Sequence, residues 1–95
     1  MVWTIEYYRR RFETLENSVS RARSKRELDD IYLKGRSLVM TVFSPSFYRV
    51  NPARARKIQR YVLLRFNDLV DRINRRARRL GLEYRVTLPE TLRVR

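Results

Sequence analysis

The sequence predicts an all-α protein: a three-helix antiparallel bundle with a long third helix and a short extended or β-hairpin C-terminal segment. Apolar residues recur at steps of three and four through three segments, as they do on one face of an α-helix. Capping and helix-breaking residues separate the segments. With 95 residues the chain is long enough for one core, so we expect residues 1–95 to form a single basic helical domain.

The third predicted helix, from Pro52 to Leu80, has the clearest signals. Asn51 suits an N-cap, and Pro52 suits the first helical position because its missing N–H would have no intrahelical partner. Gly81 suits a left-handed cap, after which Leu82 can fold back onto the last turn. The rod would be roughly 43 Å long, more than a small core requires. Its apolar stripe is unbroken and consists of Ala55, Ile58, Val62, Phe66, Leu69, Ile73, Ala77 and Leu80.

The first helix is predicted from about Thr4 to Ala22. Residues 2–8 are also rich in strand formers, so an extended first turn is left open. Its apolar positions are Ile5, Tyr8, Phe12, Leu15, Val19 and Ala22.

The second helix is predicted to begin after Ser24, which forms a capping box with Glu27. It must end near Ser44, because Pro45 disfavours helix in the residue before it. Gly35 interrupts the helix at a cost of about 1 kcal/mol relative to alanine. Because Gly35 lies on the core face, the pattern favours close approach of another helix over a hinge. That face consists of Leu28, Ile31, Tyr32, Gly35, Leu38, Val39, Val42 and Phe43.

The connection over residues 44–51 is too apolar for an idle loop. We expect Phe47 or Val50 to plug the end of the bundle. The alternative is that Tyr48 and Arg49 form an exposed pair that combines stacking and charge, as single-stranded nucleic-acid sites do.

After Gly81 the apolar period changes from helical to alternating. Leu82, Tyr84, Val86 and Leu88 alternate with polar residues, which predicts a half-buried strand. A second alternating stretch follows a Pro89-Glu90 turn. A hairpin, a tail lying along the bundle and a strand added to a partner's sheet are left open.

The composition indicates a polyanionic partner. There are 23 Lys plus Arg against 10 Asp plus Glu, a net charge of +13, and such a field attracts nucleic acid. The apolar fraction of 43% is too high for a disordered basic tail. Arginine outnumbers lysine by 20 to 3, a bias that suits both phosphate binding and ion-pair networks. Together with the lack of cysteine and the scarcity of glycine, it is also typical of a thermophile.

Composition and spacing argue against catalysis and against a membrane span. The chain has no Cys and no His, which excludes disulfides, zinc–thiolate sites and imidazole catalysis. Most acids have a cation three or four residues away, as surface pairs do. We expect no enzyme activity, catalytic residue, metal, cofactor or small-molecule substrate. No apolar run approaches the ~20 residues of a membrane span, so we expect no membrane association and a cytoplasmic location, with a nucleoid or virion left open.

The arginines of the third helix form the candidate site. Residues 72–79 contain five arginines and no acid. A row of guanidinium groups along a rod matches a line of phosphates, whereas a solvated face neutralised by Asp68 and Asp71 is the alternative. The predicted nucleic-acid-binding residues are Arg54, Lys57, Arg65, Arg72, Arg75, Arg76 and Arg79, with Tyr48 and Arg49 from the connection.

These patterns predict a small architectural or packaging protein that binds the nucleic-acid backbone with little sequence specificity. The eight-residue connection and the long third helix argue against a helix-turn-helix reader. The alternative is a structural subunit of a larger protein or ribonucleoprotein assembly, whose arginines meet acidic protein surfaces or RNA. The third helix is also broadly apolar, which predicts a homodimer. The predicted dimer residues are Tyr61, Leu63, Leu64 and Val70.

Overall fold

A computed structural model describes residues 4–50 and 52–88, apart from the side chains of Tyr48 and Val50. This part of the chain forms four helices, and the prediction of an all-α protein is confirmed. The helices are α1 (Ile5–Arg21), α2 (Lys25–Val42), α3 (Pro45–Val50) and α4 (Pro52–Arg79).

The sequence predicted three helices, and the difference is α3, which lies in the predicted connection. Pro45 ends α2, but a proline also suits the first turn of a new helix because its φ is already helical. The hydroxyl of Ser44 accepts a hydrogen bond from the Phe47 amide at 3.4 Å and so caps α3. The Phe47 side chain is buried, as expected of a plug at the end of the bundle.

Hydroxyl side chains cap the starts of α1 and α2, and of these caps the sequence predicted the one at Ser24. Thr4 accepts from the Tyr7 amide at 3.1 Å, and α1 is helical from Ile5, so the extended alternative does not apply to these residues. Ser24 accepts from the Glu27 amide at 3.2 Å, as in a capping box. The Glu27 carboxylate accepts from the Ser24 hydroxyl, also at 3.2 Å, and not from the Ser24 backbone N–H as the predicted capping box requires.

α4 is continuous over 28 residues and ends as predicted. Gly81 has a φ of 70°, in the left-handed region that favours glycine. The amide of Leu82 donates to the Ala77 carbonyl at 2.9 Å, and that of Gly81 donates to the Arg78 carbonyl at 3.1 Å. These two bonds form a Schellman motif, which satisfies carbonyls at the end of the helix.

α2 and α4 run antiparallel and approach closely at Gly35. The Gln59 side chain donates to the Val42 carbonyl at 2.9 Å, so the end of α2 lies near the beginning of α4. Gly35, halfway along α2, faces Phe66 and Leu69. A Cβ at Gly35 would lie 2.7 Å from Leu69 Cδ2. The expectation that another helix approaches at this glycine is therefore confirmed.

α1 and α4 run in the same direction and are joined by two long-range polar contacts. Arg65 bonds to Glu16, and Arg76, eleven residues further along α4, bonds to the carbonyl of Ala22, six residues further along the chain than Glu16. The core lies between these helices and α2, and burial of its apolar surface is the main stabilising term for such a fold. Its side chains are Tyr8, Phe12, Leu15, Val19, Ala22, Leu28, Ile31, Val39, Val42, Phe47, Ala55, Ile58, Val62, Phe66, Leu69, Val70, Ile73 and Ala77.

Residues 82–88 pack along the helices and form no strand. The predicted alternation appears as alternating burial, since Leu82, Tyr84, Val86 and Leu88 are half buried against the core. α2 and α4 take the place of a neighbouring strand. The second arm of the predicted hairpin, residues 89–95, lies outside the described residues.

Two side chains of the helices hold this segment. The Asn74 amide donates to the Val86 carbonyl at 2.8 Å and accepts from the Val86 amide at 2.9 Å, as a strand backbone would. The Tyr84 hydroxyl donates to Asp29 at 3.0 Å. Burial, and then this bond, raise the pKa of Tyr84 above its usual value. The segment is thereby attached to both α2 and α4.

Candidate nucleic-acid interface

A cleft of about 250 Å³ separates the C-terminal halves of α1 and α4. Residues three or four apart share a helix face, so Glu16 and Ser20 form one wall, and the arginines of α4 form the other. We call this the arginine cleft. Its lining residues are Glu16, Val19, Ser20, Arg72, Arg75, Arg76 and Arg79. The structure therefore brings together four of the predicted phosphate-binding residues.

Arg76 joins the two walls of the arginine cleft. Its Nε donates to the carbonyl of Ala22 at 3.0 Å, and Ala22 is the C-cap of α1. The last carbonyls of a helix lack intrahelical partners and carry partial negative charge, so a cation there is stabilising. The bond also fixes the orientation of a guanidinium whose Nη groups bond to no other described residue.

Arg72 and Arg75 each form an ion pair with an acid one turn earlier. Arg72 Nε lies 2.8 Å from Asp68 Oδ2, and Arg75 Nη2 lies 3.2 Å from Asp71 Oδ2. The bond to Asp68 raises the pKa of the Arg72 guanidinium. Exposed pairs of this kind contribute only about 0.3–0.5 kcal/mol, so they do not prevent a phosphate from binding the same guanidinium. The predicted neutralisation of this face is thus partial.

Arg65 is directed into the protein. Its Nη2 donates to both carboxylate oxygens of Glu16, at 2.9 and 3.1 Å, and its Nη1 donates to the Tyr61 hydroxyl at 3.2 Å. The side chains of Arg65 and Glu16 are 24% and 13% exposed. The pair is therefore shielded from solvent, and the carboxylate on the cleft wall is already matched by a guanidinium.

The other predicted binding residues lie away from the arginine cleft. Arg54 and Lys57 are exposed in the first turns of α4. At 1.5 Å per residue, Arg54 is about 27 Å along the axis from Arg72. Arg49 is exposed in α3, but the Tyr48 side chain is outside the described part, so the stacking pair stays a prediction.

Sequence reasoning missed the contribution of α1 and the turn after it. Ser20 and Glu16 line the cleft, although no pattern within α1 marks them as site residues. A signal was present in residues 21–26, which contain four cations and no acid. Because Ala22 contacts Arg76, this turn adjoins the end of α4 and extends the positive surface around the cleft.

The predicted dimer residues do not share one exposed face. Val70 is only 6% exposed and belongs to the core, while Tyr61 and Leu63 are half buried against it. Leu64 is 48% exposed. The extra apolar width of α4 is largely explained by helices packing on both sides of its central stripe.

Residues 4–50 and 52–88 hold no group of three metal-ligating side chains. None of their helices is both long and apolar enough to cross a bilayer. Comparison of the chain with protein-family models, curated proteins and solved structures gave no match.

Proposed function

We propose that the protein binds the phosphate backbone of nucleic acid through the arginine cleft and the basic turn beside it. The observation that carries this proposal is the placement of four guanidinium groups on one cleft whose lining acid is already bonded to Arg65. A net charge of +13 adds a long-range attraction for polyanions. Guanidinium groups stay charged across the physiological pH range, and one guanidinium can donate to two oxygens of the same phosphate.

The amide side chains of α4 support binding with little sequence specificity. Asparagine and glutamine are the residues that read adenine in the major groove. Gln59 donates to the Val42 carbonyl, Asn67 to a carbonyl of its own helix, and Asn74 to Val86. These side-chain amides donate hydrogen bonds within the protein, so the surface of α4 would bind a nucleic acid mainly through its charged side chains.

The test replaces Arg72, Arg75 and Arg79 by Gln and leaves Arg76, which supports α1, unchanged. Counterion release makes log affinity fall linearly with log salt, and each lost phosphate contact reduces that slope by about one. We expect weaker binding to unrelated duplex and single-stranded DNA and to RNA, and a slope reduced by up to about three. Fluorescence anisotropy against salt concentration measures both quantities.

A matched control removes the same charge elsewhere. Arg10 and Lys34 are each paired with an acid four residues earlier, and Arg36 is exposed on α2. Changing all three to Gln should lower affinity far less than the cleft variant does. Equal losses in the two variants would show that only net charge matters. A loss confined to one nucleic-acid sequence would show base reading instead.

One observation favours the second candidate, a structural subunit of a larger assembly. Leu33 and Met40 on α2 are 49% and 60% exposed, and Phe43, the C-cap of α2, is 46% exposed and not on the core face as predicted. Leu33 and Met40 are seven residues apart and so share a face. Exposed apolar side chains on one face suit a protein contact. Failure of every nucleic acid to bind at 50 mM salt would favour this candidate.

The proposal includes self-association through the outer face of α4. Leu64 lies at its centre, with Arg60 and Lys57 before it and Asp68 and Asp71 after it. A two-fold axis at Leu64 would place Arg60 opposite Asp68 and Lys57 opposite Asp71 of a second copy. Each carboxylate has lone pairs for a second cation besides its present arginine. The charge pattern of this face is thus complementary to itself in an antiparallel dimer.

A further inference from the structure

We infer that the arginine cleft seats a single phosphate group between the Ser20 hydroxyl of α1 and the guanidinium groups of Arg72, Arg76 and Arg79 of α4. This inference rests on the proposed function and adds the place where one phosphate of the strand is held. In this arrangement α1 contacts the phosphate directly, whereas binding by the row of arginines on α4 alone would not involve α1.

The dimensions of the cleft select a phosphate that projects from its strand. A space of about 250 Å³ between two packed helices holds a phosphate and part of a nucleotide, but a double helix cannot enter it. A duplex can therefore lie only across the mouth. A terminal phosphate, or an internal phosphate of a flexible strand, can reach the inner wall.

Arg76 is preorganised for this role. Its Nε is held by the Ala22 carbonyl at 3.0 Å, so little side-chain entropy is lost when its Nη groups bind an anion. Arg72 donates its Nε–H to Asp68, so both of its Nη groups can donate to an anion. Arg79 has no ion pair among the described residues. The arginine cleft therefore has several N–H donors that form no hydrogen bond to a described residue.

Ser20 differs from the other serine and threonine residues of its helix. Thr14 and Ser18 donate to the carbonyls four residues before them, at 3.1 and 3.0 Å. Ser20 lines the arginine cleft and has no hydrogen bond from its hydroxyl to any described residue. Its hydroxyl is available to donate to a phosphate oxygen from the wall opposite the arginines.

The test compares Ser20→Glu with Ser18→Glu. The first variant puts a carboxylate in front of the arginines, where it competes with the phosphate. The second adds the same charge two residues away, in the separate cleft between α1 and α2. Glutamate is a good helix former, so both variants should stay folded, which thermal melting checks. This pair separates the seat from long-range charge.

The probes are a thymidine oligonucleotide with a 5′-phosphate, the same oligonucleotide without it, and inorganic pyrophosphate. We expect Ser20→Glu to weaken oligonucleotide binding at least tenfold and Ser18→Glu less than twofold. The NMR signal of the Arg76 Nε–H should shift on titration with pyrophosphate in the wild type and in Ser18→Glu, but not in Ser20→Glu. Loss only with the 5′-phosphate would indicate a terminal phosphate, and equal loss with both oligonucleotides an internal one.

The outcomes distinguish this inference from the proposed function. Equal effects of the two variants on oligonucleotide binding would overturn the phosphate seat and leave backbone binding standing. A pyrophosphate-dependent shift without any oligonucleotide binding would support the seat and overturn the proposed function. Absence of both would overturn both.

Discussion

At single residues, one amino-acid type serves different purposes in this protein. Arg65 forms a shielded pair with Glu16, Arg76 holds the end of α1, and Arg72 forms an exposed pair within its own helix. Their positions on the helical wheel are similar, so the sequence pattern predicted the same nucleic-acid-binding role for all three. Arg65 and Arg76 differ from Arg72 in having a partner on α1 or at its C-cap, and that partner is about fifty residues away in the chain.

Gly35 provides the residue-scale prediction. In an ordinary helix interior, Gly→Ala stabilises by about 1 kcal/mol. At Gly35 the new methyl group would lie 2.7 Å from Leu69 Cδ2 and 3.1 Å from Phe66 Cε1, and overpacking costs about 1–3 kcal/mol. We expect Gly35→Ala to lower the free energy of unfolding by about 1 kcal/mol, measured by urea denaturation followed by circular dichroism.

A second background identifies the cause. Leu69→Ala removes the atom that the new methyl group would meet, so Gly35→Ala should stabilise the protein in that background. The coupling between the two substitutions is then the measure of the close approach. A higher melting temperature for Gly35→Ala alone would contradict the prediction.

At the level of elements, the structure differs most from the prediction where the chain leaves the long helices. Pro45 was interpreted as the end of α2. It also begins α3. Residues 82–88 kept the alternation of a strand but found helices as their partner. The helix α3 was therefore not predicted, whereas for residues 82–88 the alternating pattern was correct and the fold supplied the partner.

Asn74 provides the element-scale prediction. Its amide makes both hydrogen bonds to Val86, and each is worth about 1 kcal/mol. Asn74→Ala should accelerate hydrogen exchange at the Val86 amide by about tenfold or more while α4 stays helical, since alanine is the better helix former. Asn67→Ala is the control, because within residues 4–50 and 52–88 the Asn67 side chain bonds only to the Leu63 carbonyl of its own helix. Unchanged exchange at Val86 would mean that the apolar contacts alone hold the segment.

At the scale of the whole molecule, the charge is unevenly distributed. The lining of the arginine cleft and the basic turn are mainly positive, whereas the outer face of α4 has both signs around Leu64. The first arrangement suits a polyanion and the second suits a copy of itself. Two copies would place two clefts on one assembly, and a polyanion that engages both gains affinity without new contacts.

The whole-molecule prediction is a charge exchange across the proposed dimer. Arg60→Asp and Asp68→Arg should each weaken self-association, because like charges would then face each other across the two-fold axis. The double variant should recover it, since the opposite charges face each other again. Sedimentation at micromolar concentrations measures the effect. A wild-type protein that stays monomeric, or a double variant no better than the single ones, would contradict the proposed geometry.

The sequence by itself determined the three long helices and most of the core. A repeating apolar period, a capping serine, a proline and Gly81 act within a few residues of themselves, so their effects can be predicted without knowing the fold. The tertiary structure decided which arginines remain available to a ligand. That depends on Glu16, Ser20 and Ala22, which approach α4 only when the helices pack, and contacts between residues so far apart leave no mark in a local pattern.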